Sequence, residues 1–128
     1  MNRNELQSRL IAFSNNVMHL CREAKFDALN IHLAKQVVRS SSSCALNYAE
    51  AQSAESRADF AHKISIVLKE LRESYVTLQL IESSVSSARS EKMSALLKEN
   101  DELIAIFQSS VRTVLGKGTR SEDLGSRI

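Results

Sequence analysis

The first 115 residues of this 128-residue chain contain neither proline nor glycine; the three glycines are Gly116, Gly118 and Gly125. Those two residues are the strongest interrupters of a helix. A β-protein of this length would need glycine, asparagine or aspartate turns at many points. The sequence therefore predicts an all-α fold before any periodicity is counted. Aromatic residues are only 5% of the chain and tryptophan is absent, so aliphatic side chains must fill the core. The length suits one domain.

Periodicity divides the chain into four helices. The first is predicted from about Glu5 to Arg22, capped by Asn4, with Leu6, Leu10, Phe13, Val17 and Leu20 as one apolar stripe that Ile11 and Met18 broaden. The second is predicted over Leu29 to Gln52, with Leu33, Val37, Val38, Cys44, Ala45 and Tyr48 as its apolar side. Its middle carries Ser40-Ser41-Ser42-Ser43, a run of mediocre helix formers that needs a tertiary reason. The third starts after Ser56, with Asp59 in its first turn, and ends within Ser83–Ser87. Its stripe is Phe60, Ile64, Leu68, Leu71, Tyr75, Leu78 and Ile81. The fourth follows a Ser90 cap to Leu115, with Met93, Leu97, Ile104, Phe107, Val111 and Val114 facing inward and Asn100 on the same stripe. Four amphipathic helices with short connections pack most simply as an antiparallel up-down-up-down four-helix bundle over residues 1–115. The polar remainder, 116–128, reads as a disordered tail.

A polar stripe on the second helix is the informative feature. Gln36, Ser40, Ser43, Asn47 and Glu50 are spaced 4, 3, 4 and 3 apart and so share a face. The third helix carries Lys63, Lys69, Glu70 and Glu73. In an antiparallel hairpin turning near Ser53–Ser56, Arg39 and Ser40 fall opposite Glu70. Gln36 falls opposite Glu73, and Glu50 falls near Asp59 and Lys63. Small serine and alanine residues favour close helix approach, so the stripe reads as a polar interface fixing register within the bundle or between subunits.

The segment from Gln36 to Leu80 also resembles a known family. The pattern is Gln36, Arg39-Ser40, Ser43, Asn47, Glu50-Ala51, Ala54, Ser56, Asp59-Phe60, Lys63, Ile66, Lys69-Glu70 and Glu73. It is similar to that of the bacterial four-helix-bundle proteins encoded by intervening sequences within 23S ribosomal RNA genes. The match covers about a third of the chain; the first and last helices agree only in length and apolar spacing. Where the family often has Tyr-Trp-Leu after the last glutamate, this chain has Tyr75-Val76-Thr77-Leu78, which removes any contact made by that tryptophan. The resemblance implies a closed cyclic homo-oligomer, typically a homopentamer, without enzymatic activity. A related branch, the accessory proteins of diversity-generating retroelements, resembles basic pentameric barrels that bind nucleic acid and a reverse transcriptase.

Catalytic and metal chemistry find little support. His19, Cys21 and His32 lack a standard ligand spacing. The serine run sits mid-helix without a nucleophile elbow. Neither Glu70 nor Glu73 is followed by histidine three residues on, as di-iron bundles require. No glycine-rich phosphate loop exists before residue 116. No enzyme, cofactor or metal is expected. Two cysteines make no disulfide framework, no apolar run approaches a membrane span, and the N-terminus lacks a signal-peptide core, so a cytoplasmic protein is expected. The function expected is an oligomeric scaffold or adaptor. The alternative is an accessory protein binding RNA, DNA or a reverse transcriptase through Arg22, Lys25, Lys35 and Arg39, with Lys117, Arg120 and Arg127 in the tail. A net charge of +2 gives that alternative little electrostatic drive.

Overall fold

The computed structural model describes residues 1–118. They form four helices, α1 (Arg3–Glu23), α2 (Ile31–Gln52), α3 (Arg57–Ser84) and α4 (Glu91–Gly118), with a single 3-10 turn at Ser86–Ala88 and no strand among the described residues. The expected all-α, four-helix fold is present.

Local chemistry explains most helix ends. Ser56 accepts from the Asp59 N–H at 3.0 Å, and Ser90 accepts from the Met93 N–H at 3.2 Å, both as predicted. At α1 the cap is Asn2, whose Oδ1 accepts from the Glu5 N–H at 2.9 Å; Asn4 lies inside the first turn. Two asparagines two residues apart are equivalent by propensity, and only the backbone path separates them. α2 begins two residues later than predicted, because Asp27 and Asn30 bond reciprocally. The Asp27 carboxylate accepts from the Leu29 and Asn30 N–H groups, and Asn30 Oδ1 accepts from the Asp27 N–H at 2.8 Å. The far end of α3 is closed by Arg89, which donates to the carbonyls of Glu82 and Ser83. α4 continues through Gly116 to Gly118, three residues beyond its predicted end. The rest of the predicted tail, 119–128, lies outside the described residues.

The stripe of α1 is buried as predicted, at Leu6, Leu10, Phe13, Val17 and Leu20, but Ile11 is exposed. On α4 the buried positions are Met93, Leu96, Asn100, Leu103, Phe107 and Val111, whereas Leu97, Ile104 and Val114 are half-buried. The doublets Leu96-Leu97 and Leu103-Ile104 leave the facing residue ambiguous by one position, and packing selected the first of each. On α3, Phe60 and Tyr75 are likewise only half-buried, while Val67, Ser74 and Thr77 are inside. The core is one continuous cluster drawn from all four helices, sealed at one end by Val85 and Ala88. Tyr48 and Phe107 meet edge to face in it, with ring centroids 5.4 Å apart. α2 and α3 share the most extensive helix interface, and α1 and α4 the least extensive among the four pairs of neighbouring helices.

Candidate functional site on the α2–α3 face

The α2–α3 pair is zipped by polar contacts of one register. Lys63 Nζ donates to Glu50 Oε1 at 3.1 Å. Cys44 Sγ approaches the Val67 carbonyl at 3.9 Å. Ser40 Oγ and Ser74 Oγ share a hydrogen bond of 2.8 Å, and both residues are completely buried. Arg39 reaches Glu70 at 3.3 Å and Glu73 at 3.0 Å. Residue numbers rise along α2 as they fall along α3, so the two helices run antiparallel.

Burial ranks these contacts. The Glu70 side chain is 9% exposed, Glu73 40% and Arg39 57%. Glu70 is therefore the expensive member, since a carboxylate withdrawn from water needs a partner charge. Arg39 supplies it, and its own pKa is raised by its bond to Glu73 and by the charge of Glu70. Beneath them the Cys44 thiol donates to the Ser40 carbonyl at 3.3 Å. Burial pushes that thiol far above the usual range, with the Glu70 charge adding to the shift. Among the described residues no buried side-chain nitrogen or oxygen lacks a partner. The serine run has its tertiary reason: Ser40 and Ser41 are small polar groups at the helix contact, and Ser42 bonds back to the Val38 carbonyl at 2.8 Å.

The predicted stripe is therefore divided. Arg39–Glu70 and Glu50–Lys63 are joined as predicted. Ser40 bonds Ser74 rather than Glu70, because its position points into the core. Gln36 makes no hydrogen bond to Glu73, whose carboxylate is taken by Arg39; both residues border one surface groove. Asn47 bonds within its own helix, to the Ser43 carbonyl and hydroxyl at 2.9 Å each. Asp59 sits exposed at the start of α3, and Lys69 is exposed without an ion pair among the described residues. Of the basic residues proposed to meet nucleic acid, Arg22, Lys25 and Lys35 are exposed, while Arg39 is committed to two carboxylates.

Sequence reasoning missed Ser74, although it lies three residues from both Leu71 and Thr77 on the inward face. It also missed the partner of Asn100. That residue is completely buried on α4. With its amide oriented by its surroundings, it donates to the Leu71 carbonyl and accepts from the Tyr75 N–H, both at 3.0 Å. An uninterrupted helix would pair those two backbone groups with each other, so one side chain from α4 is inserted into the ladder of α3. Elsewhere α1 and α4 are pinned by Arg9–Glu99 at 3.0 Å and Lys92–Glu23 at 2.6 Å. No group of three or more His, Cys, Asp or Glu side chains among the described residues is gathered so as to hold a metal ion. No described helix is long and apolar enough to cross a membrane.

The profile of the 23S rRNA-intervening sequence protein family matches residues 3–109, which covers all of α1, α2 and α3 and most of α4. The chain belongs to that family. Among solved structures, it is similar to a protein of unknown function from the S23 ribosomal protein family of Bacteroides thetaiotaomicron. The TM-score is 0.73 at 24% identity, covering 88% of this chain and 99% of the other. At that identity the likeness bears on the fold alone. No curated protein matches the chain. For a 23S rRNA-intervening sequence protein, the residues 36–80 that suggested the family prove to be those that join α2 to α3.

Proposed function

We propose that this protein is a non-enzymatic scaffold that works as a closed homo-oligomer of up-down-up-down four-helix bundles, with five copies as the number implied by its family resemblance. The observation that carries this reading is the distribution of exposed apolar side chains. Ile11, Ile31, Leu46, Val76 and Leu80 are all more than two-fifths exposed, and they lie on α1, α2 and α3; no large apolar side chain of α4 joins them among the described residues. Apolar groups left outside a filled core, and confined to some of its faces, suit contact with further copies. The polar network of α2 and α3 supports the same reading, because its buried groups are used up inside the chain. Ser40 and Ser74 bond each other, and Glu50, Glu70 and Glu73 bond cations, so these groups are not presented for chemistry on a substrate. The network serves to hold the surface helices in one register. The deciding experiment is light scattering coupled to gel filtration at micromolar protein. A mass several times the chain's 14.3 kDa is expected; a stable monomer overturns the proposal.

A further inference from the structure

The outer side of α3 carries a second periodic stripe, distinct from the one it buries. Ile66, Lys69, Glu73, Val76 and Leu80 are spaced 3, 4, 3 and 4 apart, the repeat of a helix–helix seam. Val76 is 55% and Leu80 49% exposed. They line one end of an open groove of about 580 Å³ that runs along α3 from Ser65 past Lys69, Arg72 and Glu73, with Gln36 of α2 on its rim. At the other end of the stripe, the register set by Glu50–Lys63 and Arg39–Glu70 places Leu46 opposite Ile66, and Leu46 is 63% exposed. Each copy thus has exposed apolar side chains at both ends of the stripe, Val76 with Leu80 at one and Leu46 beside Ile66 at the other, with opposite charges between them. Lys69 and Glu73, one turn apart, do not pair with each other; Glu73 holds Arg39 of its own chain at 3.0 Å, and with its side chain 40% exposed it has room to accept a second cation.

This pattern is complementary to itself reversed. We infer that α3 pairs antiparallel with α3 of a second copy about a two-fold axis near Leu71. Lys69 of each copy meets Glu73 of the other, and Ile66 with Leu46 of each packs against Val76 and Leu80 of the other. Charge selects this register, since a shift that set Glu73 against its own symmetry mate would be repulsive. The inference rests on the oligomeric reading above and adds a constraint to it. An isologous contact joins copies in pairs, so it cannot be satisfied throughout one ring of five and must join two rings. The mass in solution is then an even multiple of the chain's.

Light scattering of charge variants tests this. Lys69→Glu and Glu73→Lys each place like charges across the two-fold axis, and each is expected to halve the oligomer mass while the far-UV helical spectrum is kept. Mixing the two variants one to one sets a pair of glutamates on one copy against a pair of lysines on the other, and restores the wild-type mass. Leu80→Glu, at an exposed site, is expected to halve the mass without charge rescue. A wild-type mass for Lys69→Glu overturns the two-fold contact but leaves the oligomeric reading standing. A mixture that stays at half mass also overturns the contact, because a head-to-tail interface lacks the reciprocal pairing. A wild-type monomer overturns both.

Discussion

Arg39→Ala is the most informative single change in the α2–α3 network, because exposure separates what the arginine contributes from what it protects. Arg39 itself is mostly in water, so its direct attraction to Glu73 at the surface is worth no more than several tenths of a kcal/mol. Glu70 is different. Its side chain is only 9% exposed, and Arg39 is its one ion-pair partner among the described residues. Removing Arg39 strands that carboxylate, at a cost of about 1–3 kcal/mol. Glu73→Ala leaves Arg39 paired with Glu70 and is expected to cost less than about 0.5 kcal/mol. Replacing both partners, as Arg39→Ala with Glu70→Met, removes the stranded charge and is expected to return stability to within about 1 kcal/mol of wild type. Urea unfolding followed by far-UV circular dichroism, at one fixed protein concentration, measures all three. A thermal melt should show about 4 °C per kcal/mol for a domain of this size. Equal losses for Arg39→Ala and Glu73→Ala, or a double variant less stable than Arg39→Ala, would refute the argument that Glu70 is the costly member.

Asn100→Leu keeps the branched skeleton but removes both bonds to the α3 backbone, and is expected to cost about 1–3 kcal/mol in the same urea assay; a neutral result would mean that α3 simply closes its own ladder. The cysteines should differ in native alkylation at about pH 8, with buried Cys44 blocked until the chain is unfolded and Cys21 slow, because burial pushes the Cys21 thiol up to about 11. A raised thiol pKa means that the folded chain keeps a proton the unfolded chain releases. Its stabilising effect is therefore complete below about pH 9 and lost as pH rises from about 9 toward 11, and Cys21→Ala should flatten that part of a stability–pH curve. With Arg39 neutralised by two carboxylates, gel-shift titration of RNA at about 50 mM salt should show no binding at micromolar protein; a salt-sensitive shift abolished by Lys35→Glu would revive the nucleic-acid reading.

Helix number and fold class were legible in the sequence because they depend on local quantities. The lack of glycine and proline before residue 116 removes interruptions, and the 3.6-residue period shows which side of each segment is apolar. The antiparallel register of α2 against α3 was also legible, since a hairpin turn near residue 54 leaves little freedom in which residues meet. That is why Arg39–Glu70 and Glu50–Lys63 are found as expected. What the sequence could not settle are choices between neighbouring equivalents. Asn2 or Asn4 as cap, Leu96 or Leu97 inward, and Glu70 or Ser74 opposite Ser40 each differ by rotations or shifts smaller than a periodicity argument resolves. The insertion of Asn100 into α3 lay further out of reach. It joins residues about 25–29 apart in the chain, and only the packing of α4 against α3 brings the amide to the Leu71 carbonyl. The outer stripe of α3 lies between these cases. Its spacing is written in the sequence, but the same spacing on the opposite side marks the core. Only the tertiary structure decides which stripe is buried and which is left exposed, because burial belongs to the assembled bundle and not to the helix.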